Sequence, residues 1–269
     1  MSAPALTLIL ARALPVSAAV LLVRLLILSY LILKPACRSE IRNNHRIVCG
    51  RDQPGFWMLN AWRLGRNLVL MARIDLRPGR LLVDKAEVGG DNRSVQSMEQ
   101  NMQAVMASFH FGLWEFLPAV FRQRGHRVAL AVGVQRNRAL DRMLRPLRSG
   151  AGVRLLHSAV ELAGHGLTGL VGFMLDNTGR GRMTVARSNR VAMRLPGPAF
   201  RLGGRAGVIP VFCGLERGRL RVRAYPPGDQ HHALECLLAE VRRSPADWVF
   251  WGKNGALSLV AGSEGRDDR

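Results

Sequence analysis

Apolar segments of strand length alternate with helical patterns through the second half of the chain. The predicted strands are residues 104–109, 127–134, 153–156, 167–175, 208–213 and 219–224, and the predicted helices are residues 113–124, 137–148, 158–164, 198–206 and 234–243. Strands that are apolar along their whole length and separated by helices are typical of a parallel sheet covered on both faces. We therefore predict an α/β fold with a largely parallel central sheet flanked by helices.

The N-terminal region contains an apolar run, residues 16–33, whose single charge is Arg24. Its length is at the lower edge for a membrane-spanning helix, which needs about 20 residues. The start of the chain lacks the basic residues of a signal peptide, and Lys34 and Arg38 follow the run, which favours a retained anchor with the rest of the chain on the cytoplasmic side. Arg24 leaves an interfacial helix open, and a buried core helix is the other alternative. We predict a membrane anchor over residues 1–34 and one further domain over residues 35–269.

The chain is strongly basic, with 39 Lys and Arg against 19 Asp and Glu and a formal net charge of +20. Such a charge predicts a polyanionic partner, which could be nucleic acid, an anionic bilayer or a phosphorylated substrate. The two tyrosines are too few for the interleaved aromatic side chains of single-strand binders, so we expect no nucleic-acid partner. The four cysteines form no CxxC pair, and neither a metal site nor a disulfide framework is expected.

His110 follows a predicted apolar strand, and Glu115 lies five residues later. Five residues of regular helix turn by about 500°, so the two side chains can meet only if His110 lies in the turn and Glu115 in the first helical turn. Gly112 provides the backbone freedom for such a turn. A His–carboxylate pair can act as a general base with its orienting partner, and the alternative is an ordinary solvated pair.

The hexapeptide HFGLWE, from His110 to Glu115, resembles the H-x-x-x-x-[DE] block of the lysophospholipid acyltransferase superfamily. It is most similar to the branch of lipid A lauroyl and myristoyl acyltransferases. Further segments resemble blocks of that family in the same order, after the apolar N-terminal run: EIRNNHRIVCG, RNRALDRMLRPLRSGAG, GLVGFMLDNT, GRAGVIPVFCGLERGRLRVRAYPP and SPADWVFW. The resemblance therefore covers most of the chain.

The resemblance implies that His110 is the general base and Glu115 its partner, and that Asp176 lines the site. It also implies that an anionic part of a substrate is bound by a group of arginines: Arg136, Arg142, Arg145 and Arg148. Guanidinium groups suit phosphate recognition, although a solvated helix face would have the same composition. The chain departs from the family pattern at Asn177 and at residues 187–189, which affects the identity of the acceptor more than the chemistry.

The expected activity is transfer of a fatty acyl chain from a thioester, acyl carrier protein or acyl-CoA, to a hydroxyl of an anionic lipid similar to a lipid A precursor. No metal or other cofactor is expected, and the expected location is the cytoplasmic face of the inner membrane. Two alternatives stay open. One is a glycerophospholipid or other lipid O-acyltransferase with the same His–Glu pair, and the other is a non-catalytic basic protein that binds membranes or nucleic acid.

Overall fold

A seven-stranded sheet forms the centre of the protein. The computed structural model describes residues 9–100, 103–132, 152–165, 168–176, 183–188, 191–252 and 257–259. The strands of this sheet are β1 (Glu87–Gly90), β2 (Ala104–Ser108), β3 (Val128–Ala131), β4 (Arg154–Leu156), β5 (Leu170–Met174), β8 (Ile209–Glu216) and β9 (Arg219–Ala224). Their order across the sheet is β1-β9-β8-β2-β5-β3-β4. All neighbouring pairs in it are parallel except the β8–β9 hairpin. The prediction of a largely parallel sheet is confirmed.

Four of the described strands were not predicted from the sequence. Strand β1 adds an edge to the central sheet by pairing with β9. A second, antiparallel sheet contains β6 (Met183–Ser188), β7 (Val191–Pro196) and the short β10 (Ser258–Leu259). Strand β6 has two exposed positions, so its sequence lacks a continuous apolar run.

Helices surround the central sheet. They are α1 (Val16–Leu33), α2 (Pro35–Cys49), α3 (Phe56–Met71), α4 (Arg77–Asp84), α5 (Asn92–Glu99), α6 (Phe116–Gln123), α7 (Ala159–His165), α8 (Gly197–Gly203) and α9 (Gln230–Arg243). The predicted helix over residues 137–148 lies outside the described residues. Short 3₁₀ turns cover Gly204–Ala206, Pro245–Asp247 and Phe250–Gly252.

Alternate side chains of the fully buried strand β2 enter two separate cores. Val105 and Ala107 belong to the larger core, to which helix α9 contributes, whereas Ala104 and Met106 belong to the core beneath helix α6. Successive side chains of a strand point to opposite faces of the sheet, so both faces of β2 are covered. This two-sided burial explains why the strand reads as a continuous apolar run.

Helix α1 packs along helix α3 instead of standing apart from the domain. Ala19 and Val23 of α1 are buried against Val69 and the following Ala72, and Leu31 at the other end of α1 joins the larger core. Within the described residues, α1 is the one helix long and apolar enough to cross a membrane, and less than a quarter of it is buried.

The segment before α1 is tied to the end of α3. Arg73 donates hydrogen bonds from Nε to the Ala11 carbonyl at 2.6 Å and from its terminal nitrogen to the Leu14 carbonyl. Arg12 forms a bidentate pair with Asp75, with both nitrogen–oxygen distances 2.8 Å. These contacts fix α1 to the domain at its beginning, as the core packing of Leu31 does at its end.

Candidate active site

The turn after β2 requires glycine at position 112. Gly112 has φ of 60°, a conformation that disfavours residues with a Cβ. A Cβ at this position would also lie 2.2 Å from the carbonyl oxygen of Cys213 on strand β8. The neighbouring Leu113 donates its backbone N–H to that same carbonyl at 2.8 Å. The turn that carries His110 therefore packs directly on β8, and only glycine at position 112 permits this close approach of the two backbones.

His110 is paired with Asp176. The imidazole Nδ1 lies 2.7 Å from Asp176 Oδ1, and the His110 backbone N–H donates to Asp176 Oδ2 at 2.8 Å. The register of the sheet explains the pairing, because Ser108 of β2 lies beside Met174 of the parallel strand β5. His110 and Asp176 each come two residues after these partners, so both emerge at the same edge of the sheet.

The Asp176 carboxylate is fully buried and accepts hydrogen bonds from described donors on two sides. Besides the two bonds from His110, the indole Nε1–H of Trp248 donates to Oδ2 at 3.2 Å. A carboxylate that accepts a bond from Nδ1 fixes the neutral imidazole as the Nδ1–H tautomer. The basic lone pair then lies on Nε2, the nitrogen that faces away from Asp176.

Residues 247–250 also contact the His110 turn. Val249 donates its backbone N–H to the His110 carbonyl at 3.0 Å, and Gly112 donates to the Asp247 carbonyl at 2.8 Å. The Phe250 ring lies 4.7 Å from the imidazole, and the Trp114 ring lies 5.1 Å from it. The His110 side chain is 18% exposed, so the imidazole is held on several sides and still reaches the surface.

From the sequence, Glu115 was expected to orient the His110 imidazole, and the structure places a different carboxylate on Nδ1. The carboxylate on Nδ1 of His110 belongs to Asp176, which was expected only to line the site. Glu115 lies directly before helix α6, where its Oε1 accepts a bond from the Trp114 indole at 3.3 Å. The physical reason is the register of β2 and β5, which brings residue 176 to the imidazole. A catalytic role of Glu115 stays a prediction.

An apolar cleft opens beside this turn. It encloses about 530 Å³ of space, part of it open to solvent, between helix α6 and the sheet. Leu117 and Pro118 line it from α6, and Gly172 and Phe173 line it from β5. Glu115 and Trp114 also line it, so the cleft reaches the turn that carries His110. The walls of the cleft are mostly apolar, and such a lining suits a hydrocarbon ligand.

The four predicted substrate-binding arginines lie outside the described residues: Arg136, Arg142, Arg145 and Arg148. Their role stays a prediction. Across the part of the chain that the structure describes, no three His, Cys, Asp or Glu side chains are grouped as metal ligands.

Two features of the site were missed from the sequence. The first is the pairing of Asp176 with His110, although one signal was present. Each residue follows a predicted apolar strand, and neighbouring parallel strands bring such residues together. The second is Trp248, whose indole bonds Asp176. It was noted only as part of the segment SPADWVFW, and nothing in its spacing indicates a bond to a residue 72 positions away.

Part of the chain matches a known protein family. Residues 58–177 match the profile of the bacterial lipid A biosynthesis acyltransferase family, and no curated protein matches the chain. The matched segment spans a little under half of the chain and includes His110, Glu115 and Asp176. The match supports the resemblance predicted from the sequence: residues 58–177 are similar to the bacterial lipid A biosynthesis acyltransferase family.

Proposed function

We propose that the protein transfers a fatty acyl chain from a thioester to a hydroxyl of a membrane lipid, with His110 as the general base and Asp176 as its orienting carboxylate. The observation that carries the proposal is the 2.7 Å contact between His110 Nδ1 and the fully buried Asp176, next to a turn whose Trp114 and Glu115 line an apolar cleft. The family match supports an acyltransferase that acts on lipid.

The proposed reaction needs one proton acceptor and no covalent enzyme intermediate. The acceptor hydroxyl gives its proton to His110 Nε2 while its oxygen attacks the thioester carbonyl carbon. The Asp176 carboxylate stabilises the imidazolium that forms. Collapse of the tetrahedral intermediate breaks the carbon–sulfur bond, and the imidazolium returns the proton to the leaving thiolate. The products are an ester and a free thiol, and His110 is again neutral.

The apolar cleft beside α6 is proposed to hold the acyl chain. Its walls come mainly from apolar side chains of α6 and of the sheet, and Leu130 packs over Gly172 in one wall. Burial of a methylene group in such a site contributes about 0.8 kcal/mol, which favours a long-chain donor over a short one. Glu115 lies where the cleft meets the turn, so it is a second candidate for contact with the reacting groups.

The proposed donor is acyl carrier protein or acyl-CoA, and the proposed acceptor is an anionic lipid similar to a lipid A precursor. Both donors carry phosphate, for which the arginines between residues 136 and 148 remain the predicted ligands. A glycerophospholipid acceptor would use the same His–Asp pair. The burial of Asp176 against an imidazole that still reaches the surface favours an enzyme over a non-catalytic basic protein, because this is the arrangement of a general base with its orienting partner.

The surface formed by α1 and α3 is proposed to face the cytoplasmic side of the inner membrane. Large apolar side chains are exposed on both helices, among them Leu21, Leu25 and Tyr30 of α1 and Met58 and Leu59 of α3. The basic residues that follow α1 are consistent with an anionic leaflet on this side.

The test is acyl transfer from a labelled acyl carrier protein donor to membrane lipid by purified variants. We expect His110→Ala and Asp176→Asn each to lower kcat/KM by about 10²- to 10⁴-fold, because an asparagine amide would donate to Nδ1 and move the ring proton to Nε2. The Glu115→Gln variant distinguishes the role of Glu115 from that of Asp176. If Glu115 orients the imidazole, its variant loses activity and Asp176→Asn does not.

His157→Ala provides the matched control, because His157 is half-buried on the far edge of the sheet beyond β4. It should retain the activity of the unmodified protein. Full activity of His110→Ala would eliminate the proposed base, and activity of the control equal to that of His110→Ala would mean that the loss reflects folding instead of chemistry.

A further inference from the structure

Helix α1 crosses helix α3 at Gly65, and this crossing places Arg24 against α3. A Cβ at Gly65 would lie 2.6 Å from the Arg24 Cγ and 3.1 Å from its Cα, so the two backbones touch. The Arg24 guanidinium carbon lies 3.8 Å from the centroid of the Trp62 ring, and its Nε donates to the Trp62 carbonyl at 2.9 Å. The one charge within the apolar helix is therefore held at a fixed place on the surface of α3.

Two more guanidinium groups lie at the same place. Arg63 and Arg66 are one turn apart on α3, on either side of Gly65, so their side chains share a face. Burial lowers the pKa of Arg66, and the neighbouring charges of Arg63 and Arg24 lower it further. These three residues, Arg24, Arg63 and Arg66, are called the arginine cluster below.

The described carboxylate beside the arginine cluster is Asp247, and it is already engaged. Its Oδ1 accepts from the Asn67 amide at 3.0 Å and lies 3.8 Å from Arg63 Nε, and its Oδ2 accepts from the Ser244 hydroxyl. The described charges at this place are thus three cations and one carboxylate. Like charges held together in a partly buried site cost free energy unless an anion joins them.

The surroundings of the arginine cluster are apolar and exposed. Leu21 and Leu25, on either side of Arg24 in α1, are about half exposed, and so are Met58, Leu59 and Trp62 on α3. A soluble anion would gain nothing from these side chains, whereas a lipid would bury its hydrocarbon against them. The site therefore suits an amphiphile that carries a phosphate group.

We propose that Arg24, Arg63 and Arg66 form a binding site for the phosphate of a membrane lipid headgroup, with the apolar side chains around them in contact with the lipid chains. The planar guanidinium group of Arg63 can bind phosphate oxygens in a bidentate manner. Arg66 donates from Nε and one terminal nitrogen to Asn67 Oδ1 at 3.4 and 3.2 Å, and its other terminal nitrogen can add a bond to the phosphate. Arg24 is held over the Trp62 ring, so its position is fixed before the lipid arrives. The proposal concerns the binding of lipid and does not depend on acyl transfer.

Flotation of the purified full chain with lipid vesicles tests the site, in the absence of any acyl donor. The vesicles contain either a neutral galactolipid without phosphate or the same lipid mixed with phosphatidylglycerol. We expect phosphatidylglycerol to strengthen binding, and we expect Arg63→Gln/Arg66→Gln to weaken binding to it by about 30-fold, which corresponds to two basic residues at an anionic surface. Binding to the galactolipid should change little.

The control is Arg187→Gln/Arg194→Gln, which removes the same charge from exposed positions of the β6–β7 sheet. It should bind phosphatidylglycerol as the unmodified chain does. If both double variants bind phosphatidylglycerol vesicles equally weakly, the effect reflects net charge alone and the proposal is overturned. Equal binding of the unmodified chain to the two vesicle types would also overturn it. If the double variant does not fold, Arg63→Gln and Arg63→Lys are compared, and the proposal requires weaker binding by the first.

Inorganic phosphate distinguishes a lipid site from a site for free phosphate. We expect millimolar inorganic phosphate to leave vesicle binding largely intact, because it cannot replace the apolar contacts. Complete release of the chain from phosphatidylglycerol vesicles, with sulfate ineffective at the same ionic strength, would identify a free-phosphate site and overturn the lipid assignment.

Discussion

Replacement of Gly112 by alanine tests whether the contact between the active-site turn and strand β8 positions His110. The added Cβ would lie 2.2 Å from the Cys213 carbonyl oxygen. The two atoms must separate by at least about 1 Å to reach ordinary van der Waals contact. The positive φ of 60° adds a second cost, since alanine in the left-handed region costs about 1–2 kcal/mol.

We expect Gly112→Ala to lower the free energy of unfolding by about 2–5 kcal/mol, from the left-handed backbone together with the crowded contact. The turn that must move carries His110 two residues earlier. A shift of about 1 Å at a reacting group can cost about 10²-fold in rate, so kcat/KM should fall by that order even in the folded fraction. Urea unfolding and acyl transfer at a temperature where the variant is folded measure the two effects separately.

Gly214→Ala is the matched control, one residue from Cys213 on the same strand. A Cβ at Gly214 would meet no atom within 4 Å, and its backbone φ is not positive. We expect this variant to match the unmodified protein in stability and activity. If Gly112→Ala behaves like Gly214→Ala, the turn is not constrained by β8 and the reasoning for this position is refuted.

Three other expectations follow from the site and the core. Trp248→Phe removes the indole donor to Asp176, and we expect kcat/KM to fall by about tenfold with a smaller loss of stability; a change in stability alone would show that the bond does not support the base. Gly172→Val adds atoms to the wall of the cleft, so assays with donors of graded length should show kcat/KM falling by about 10- to 200-fold for the longest acyl chain relative to the shortest, and an unchanged ratio would place the chain elsewhere. Burial lowers the pKa of His45, so the unfolded chain takes up the proton first as the pH falls below about 6.5, and the stabilisation present above that pH decreases in acid. Urea unfolding at about pH 7.5 and about pH 5.5 should show this loss, and His45→Phe should reduce it; equal pH dependence in the variant would assign the loss to other groups.

The sheet was largely predictable because its central strands are buried on both faces. Strands β2, β5 and β8 read as apolar runs, since each contributes side chains to the cores above and below it. Strand β1, Glu87–Gly90, has no such pattern because it lies at the edge and pairs on one side with β9. Its formation depends on a partner more than 130 residues away in the chain, which local sequence cannot indicate.

The features of the site that depend on local sequence spacing could be predicted. The position of His110 after a strand and the need for Gly112 followed from the sequence, and the structure agrees with both. The partner of the imidazole depended on the register between β2 and β5, which no single segment encodes. Local spacing points to Glu115 as the carboxylate partner of His110, whereas the sheet register brings Asp176 close to the imidazole in space.

The packing of α1 on α3 has a practical consequence for removing the apolar N-terminal helix to obtain a water-soluble enzyme. Deletion of residues 1–34 would uncover Val69 and Ala72, which α1 now buries, and would take Leu31 from the main core. The shortened protein would expose a new apolar patch to solvent, and such patches promote aggregation. Polar replacements at Leu21, Leu25 and Leu26, which are already exposed, would preserve the helix–helix contact and offer a better route to solubility.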